Sequence, residues 1–315
     1  MLARVANNLF WMGRYIERSE HIARYMNVNY FSSLDAPNQV SQNRQFVLRS
    51  MLFMVGAPEQ DPNKILKEED VLFKIGLDPN FEFSILNNVK QARENANSAR
   101  DLISTELYEA INKFYHFVLK YPKEIFVKSG LYDFTINVSE MSAILRGKIR
   151  GTLLHDSIYA IILMGVNIER ATQVTRMINT KYNDALLTQG NHDIMFSKSA
   201  EWATLLKCAE SYDMMRRFYK KTPTSISTLE FLILNPNCPR SVMNALNQVY
   251  KNVKILNPEK RYNKNSTAFL IGRVRAEYQY KYIEEIEQDI KSFIENILKS
   301  LDDISNKINE EFFNY

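Results

Sequence analysis

Apolar residues recur every three or four positions at the start of the chain. Leu2, Val5, Leu9, Met12, Ile16, Ser19, Ala23, Met26 and Tyr30 form a heptad-like seam in which only Ser19 is polar. That rhythm belongs to an α-helix. Trp11, Tyr15 and Ile22 extend the apolar surface on one flank, and Ala6, Phe10 and Gly13 on the other. A helix with apolar surface beyond a single face is expected in the middle of a bundle, contacted from several sides. The pattern predicts helices over residues 2–34, 39–55, 68–75, 84–120 with a break near Asn95, 139–152 and 157–182. After a polar loop around Gly190 it predicts helices over 198–221, 224–234, 240–256, 266–280 and 283–313. The last is amphipathic, with Ile286, Ile290, Phe293, Ile294, Ile297, Leu301, Ile304 and Ile308 at helical spacing, and is expected to pack on its own bundle. No stretch sustains strand-like alternation; residues 229–234 follow Ser225 and Ser227 and read as a short capped helix.

The helix breakers agree with this reading. Nine glycines and nine prolines are sparse for 315 residues, and no proline falls between Pro122 and Pro223. The expected fold is all-α, a bundle of about ten helices built from two related halves in a single domain spanning residues 1–315. The two halves are inferred from an internal repeat. A shift of 152 positions aligns MGRYIERSEHIARYMN, from Met12, with MGVNIERATQVTRMIN, from Met164, and seven of the sixteen residues coincide. More broadly, residues 1–35 resemble 153–187, and the seam reappears as Leu154, Ser157, Ile161, Met164, Ile168, Ala171, Thr175, Ile178 and Tyr182. Self-similarity of this length points to duplication of a helical unit.

At about 100° per residue, Gly13, Glu17 and Arg24 form a stripe beside the seam, and Arg18 points well away from it. Gly165, Glu169, Arg176 and Arg170 repeat the arrangement. Glycine inside a helix costs about 1 kcal/mol relative to alanine, so two at matched positions ask for a close backbone approach. Charges on so apolar a helix have to be paired. Glu17, Arg18, Arg24, Glu169, Arg170 and Arg176 are therefore candidates either for interhelical salt bridges or for a central polar cavity that binds an anionic ligand or a carboxylate-bearing peptide.

Composition removes other classes. A net charge of +4, spread along the chain, gives no case for nucleic acid, and the longest uncharged apolar run, residues 159–166, is far shorter than a bilayer span. Cys208 and Cys238 match no metal-ligand or redox spacing, so a reducing, cytoplasmic location is expected. A di-metal carboxylate bundle needs Glu-x-x-His pairs, and these are absent: His21 follows Glu17 by four residues, with Gln173 in the second copy. His116 and His155 read as packed or surface residues, and His192 as an exposed loop residue. Phosphate-binding loops and nucleophile elbows are also missing, and no metal or cofactor is expected. Pro239 suits the first position of a helix begun by Asn237 or Cys238, which puts Arg240 in a first turn where a cation gains nothing from the helix dipole. Arg240 is then expected to reach a carboxylate elsewhere or to bind a partner.

The N-terminal MLARVANNLFWMGRYIERSEHIAR, read with the second I-E-R-A, resembles the alpha-E family, bacterial all-helical domains of unknown function named for a Glu–Arg motif. The blocks ARENANSARDLISTELYEAIN, RGTLLHDSIYAIILMGVNIERA, EWATLLKCAESYDMMRRFY and FLILNPNCPRSV follow in the family's order. The resemblance carries over Glu17, Arg18, Glu169 and Arg170, then Arg93, Glu94, Asn95, Arg100 and Glu106, then Arg240 and Ser241. The chain departs from the family pattern at Ala99–Arg100, Tyr108 and His155. Arg93, Glu94 and Arg100 sit at helical spacing and read most simply as an ion-pair face. The resemblance also implies genomic company: a circularly permuted ATP-grasp protein and a transglutaminase-like protein, in a proposed peptide ligation or modification system. The expectation is a non-catalytic helical partner or scaffold for them, the alternative an enzyme or a small-ligand or peptide binder using a central Glu/Arg pocket.

Overall fold

A computed structural model describes residues 2–35, 43–58, 61, 63–187, 199–257 and 263–313. The Gly190 loop, His192 within it, and the start of the second predicted helix lie outside the described residues. Among the described residues there are fifteen α-helices and no strand. Helix α1 (Ala3–Asp35) and helix α8 (Ser157–Leu187), the two segments related by the repeat, cross at the centre and make the most extensive helix–helix contact among the described residues. Helices α4 (Ile85–Ser98) and α7 (Leu131–Thr152) pack on α1, with α5 (Thr105–Lys120) bridging them. Short helices α2 (Arg44–Met54), α3 (Glu68–Gly76) and α6 (Lys123–Lys128) complete this side. Beyond α8, helices α9 (Ser199–Cys208), α10 (Tyr212–Tyr219) and α11 (Ser225–Leu229) lead to α12 (Val242–Leu256). Helices α13 (Thr267–Gln279), α14 (Ile283–Glu287) and α15 (Ile290–Ile308) follow. Both α12 and α15 pack on α8.

The glycines explain the crossing. A Cβ on Gly13 would stand 2.5 Å from the Ile162 carbonyl oxygen, and one on Gly165 would collide still harder with the carbonyl oxygen of Phe10. Phe10 and Ile162 are themselves related by the 152-residue shift, so each copy offers its glycine to the equivalent carbonyl of the other. The seam is buried from Leu9 to Met26, but Leu2 and Leu154 are exposed, so it begins at Val5 in α1 and within α8 in the second copy.

Several predicted helices are divided. Residues 84–120 break at Ala99 to Ser104 rather than near Asn95, through a 3₁₀ turn (Arg100–Leu102) and an extended Ile103. Ser104 then caps α5 by accepting from the Leu107 N–H at 3.2 Å. Residues 198–221 break between α9 and α10, where Glu210 adopts φ 53° and the Ser211 N–H reaches back to the Leu206 carbonyl at 2.8 Å. The segment 283–313 becomes α14, α15 and a closing π turn (Asn309–Phe313), with Asp289 capping α15. The amphipathic face does pack inward, burying Ile294, Ile297, Leu301, Ile304 and Ile308. Pro239 does not open a helix: Ser241 is the N-cap of α12, accepting from the Asn244 N–H at 3.0 Å, and Arg240 precedes the helix. A serine hydroxyl that can satisfy an orphan N–H sets the start more firmly than proline.

Candidate functional site

The two Glu–Arg motifs face each other across the crossing and exchange partners. Glu17 on α1 receives both arms of Arg170 on α8, at 2.7 Å from Nε and 3.1 Å from Nη2. Glu169 on α8 receives Arg18 on α1 in the same forked way, at 2.6 and 3.1 Å. Four residues after each glutamate a neutral donor completes the copy: His21 Nε2 lies 3.1 Å from Glu17 Oε1, and Gln173 Nε2 lies 2.8 Å from Glu169 Oε1. Arg18 does lie on the side of α1 away from the seam, yet it is largely buried, because that side borders α8.

Beyond this shared frame the copies differ. At Glu169 the third partner is Arg14 of α1, at 2.7 Å, which also donates to Ser305 on α15 at 2.9 Å and lies over the Trp11 ring. The second copy has Val166 in its place. At Glu17 the third partner is Arg240, from the loop before α12, at 3.3 Å. Arg240 also reaches Glu20 at 3.1 Å and contacts Glu210. Arg24 pairs with Glu20 at 3.0 Å and Glu210 at 2.7 Å and donates to the Cys208 carbonyl at 2.8 Å. Arg146 on α7 contacts Glu20 from the other side. Among the described residues Arg176, the counterpart of Arg24, has no such set, and Thr172 stands where Glu20 does in the first copy. Its guanidinium lies beside Gly56 instead.

These environments fix the charges. Burial alone would raise the Glu17 carboxyl, but Arg170, His21 and Arg240 outweigh it and hold the group well below the usual carboxylate range. For Glu169 burial is likewise overcome, by Arg18 and Arg14, and its carboxyl stays ionised. Burial, reinforced by the repulsion of Arg24, lowers His21 to about 4 despite its bond to Glu17, so the ring is neutral at pH 7 and Nε2 donates. Arg24 falls to about 10 through burial and the neighbouring charge of Arg240, and still carries its proton.

The remaining candidates lie elsewhere. Arg93 pairs with exposed Glu94 at 3.0 Å, donates to Asn112 at 2.7 Å and covers the Tyr115 ring. Arg100 does not share that face, because it belongs to the 3₁₀ turn, where it covers Tyr108 and donates to Thr105 at 3.2 Å. Asn95 is half-buried on α4, and Glu106 is exposed in the first turn of α5. His155 is exposed and stacks on Tyr159, and His116 is exposed beside Tyr115. Ser241 serves as a cap. The sequence reading does not single out Arg14, Glu20, Arg146 or Glu210, and meets His21 only in setting aside a di-metal site. The available signals are the His21/Gln173 equivalence and the positions of Arg14, Glu20 and Glu210 inside the family blocks; Arg146 lies outside both the repeat and those blocks and carries none. Among the described residues, no cluster of histidine, cysteine and carboxylate side chains could hold a metal ion. No helix there is long and apolar enough to cross a membrane.

A cavity of about 290 Å³ adjoins the cluster, bordered by Arg170 but by neither motif glutamate. The class these features define is an all-α fold whose centre is a pair of crossing helices of related sequence, held together by exchanged Glu–Arg pairs. The family model for Alpha-E, described as a predicted alpha-helical domain with a conserved ER motif, matches residues 1–313, and the chain belongs to that family. Comparison with curated proteins gave no match, and comparison with solved structures gave none.

Proposed function

We propose that the chain is a non-catalytic helical partner, in a bacterial cytoplasm, of a circularly permuted ATP-grasp peptide or amide ligase and a transglutaminase-like protein. The observation that carries this reading is the exchange of arginines between the two motifs. Acid–base chemistry needs a carboxyl that gains and loses its proton near neutral pH. Glu17 and Glu169 are instead held ionised by guanidiniums of the opposite helix, so the duplicated signature is spent on fixing the crossing. Partner binding then falls to the outer surface. The identity of the partners rests on the family resemblance of the sequence blocks. Two buried thiols, Cys208 and Cys238, both pushed up chiefly by burial, suit a reducing compartment.

The test pairs affinity capture with melting. Tagged wild-type chain, co-expressed with a circularly permuted ATP-grasp protein and a transglutaminase-like protein, is expected to co-elute with at least one. Glu17→Gln and Glu169→Gln are each expected to cost about 3–5 kcal/mol of stability, because each leaves buried arginines uncompensated. Absence of both partners from the eluate overturns the partner assignment. Unchanged stability with lost capture overturns the structural reading of the motif and makes it the binding site.

A further inference from the structure

The cavity lies between α7, α8 and α12, and its charged lining consists of Arg146, Arg150 and Arg170, with no carboxylate. Each keeps donors in reserve. Arg170 spends Nε and Nη2 on Glu17, and its Nη1 makes only a long contact, 3.4 Å, to the Pro239 carbonyl. Among the described residues, Arg146 meets Glu20 through Nη1 only. Arg150 is exposed at the edge. Behind them the charges do not cancel. Glu17, Glu20 and Glu210 supply three negative charges, while Arg24, Arg146, Arg170 and Arg240 supply four positive ones, with His21 neutral. Arg150 adds another cation at the mouth. Guanidiniums with unused N–H groups around a space with surplus positive charge suit an oxyanion, which accepts from several at once. The rest of the lining is mixed: Ile149, Leu163 and Val166 lie among the arginines on α7 and α8, and Asn167, Pro239, Asn244 and Gln248 complete it. An inorganic ion leaves the three aliphatic side chains uncovered, whereas an organic anion covers them.

We propose that this cavity binds a small organic anion, with a carboxylate or phosphoryl head on Arg146, Arg150 and Arg170 and a short apolar body against Ile149, Leu163 and Val166. The inference goes beyond the partner reading and stands without it, since it needs only the isolated chain.

The test is titration calorimetry on the purified chain with acetate, butyrate and hexanoate, with ethyl and butyl phosphate, with inorganic phosphate, and with neutral butyramide. Either the carboxylate or the phosphate-ester series is expected to bind, tightening up to about fourfold per added methylene until the aliphatic side chains are covered. Comparison of the two series identifies the head group. Arg150→Gln, at an exposed position, is expected to weaken binding about tenfold with an unchanged melting temperature. Binding of butyramide as tight as butyrate, inorganic phosphate equal to its esters, no effect of Arg150→Gln, or no binding by any probe would each overturn the proposal. None of those outcomes bears on whether the chain captures its protein partners.

Discussion

His21 and Gln173 stand at the same position in the two copies, and each donates to the glutamate one turn before it. Each also keeps one buried acceptor, Nδ1 or Oε1, without a partner among the described residues. Glutamine is therefore a tested solution for the histidine's place, and His21→Gln is expected to fold with nearly wild-type stability at pH 7. The two differ in acid. A histidine lowered from about 6.5 to about 4 on folding takes up its proton more readily when unfolded. Its contribution is complete above the unfolded value and is lost as pH falls toward 4, on the order of 3 kcal/mol. Denaturant melts at pH 7, 5.5 and 4.5 are expected to show a shallower decline for His21→Gln than for wild type; parallel declines would refute the buried neutral ring. At this scale the sequence was legible only where the repeat spoke. Gly13, Glu17, Arg18 and their copies could be read from it, and their need for pairing followed from an apolar helix. Glu210 could not. It occupies the left-handed C-terminal position usually given to glycine, and its carboxylate bridges Arg24 and Arg240. Nothing in the local Ala-Glu-Ser sequence announces either fact.

Among the helices, the crossing of α1 and α8 and an exposed glycine on α7 make opposite predictions for one chemical change. Gly13→Ala and Gly165→Ala drive a methyl group into the facing backbone, which cannot rotate away as a side chain can. Each is expected to lose about 1–3 kcal/mol or more, Gly165→Ala the most, as overpacking forces the helices apart. Gly147 lies inside α7, where a Cβ would meet nothing within 4 Å, and Gly147→Ala is expected to gain about 0.5–1 kcal/mol from helix propensity. Urea midpoints of the three variants check the signs. Helix existence was largely legible because the apolar period is strong; helix ends were less so. Serine caps start helices at Ser84, Ser241 and Ser266, where the sequence places starts to within a residue; the cap at Ser104 was hidden, because the apolar period runs through it.

Across the whole molecule, the exchange of partners ties both halves of the repeat to one event. Glu17 pairs with Arg170 and Glu169 with Arg18 across the crossing, so moving α1 away from α8 breaks both pairs together, along with the close backbone approach at both glycines. Local opening of one helix would strand buried guanidiniums of the other, so fraying stops short of the centre. The slowest amide protons around Gly13 and those around Gly165 are therefore expected to exchange with deuterium together, at the free energy of global unfolding, with the same denaturant dependence. Two distinct exchange regimes would show that the copies open separately. By trading arginines, two helices of related sequence are expected to behave as one cooperative unit with a single unfolding step.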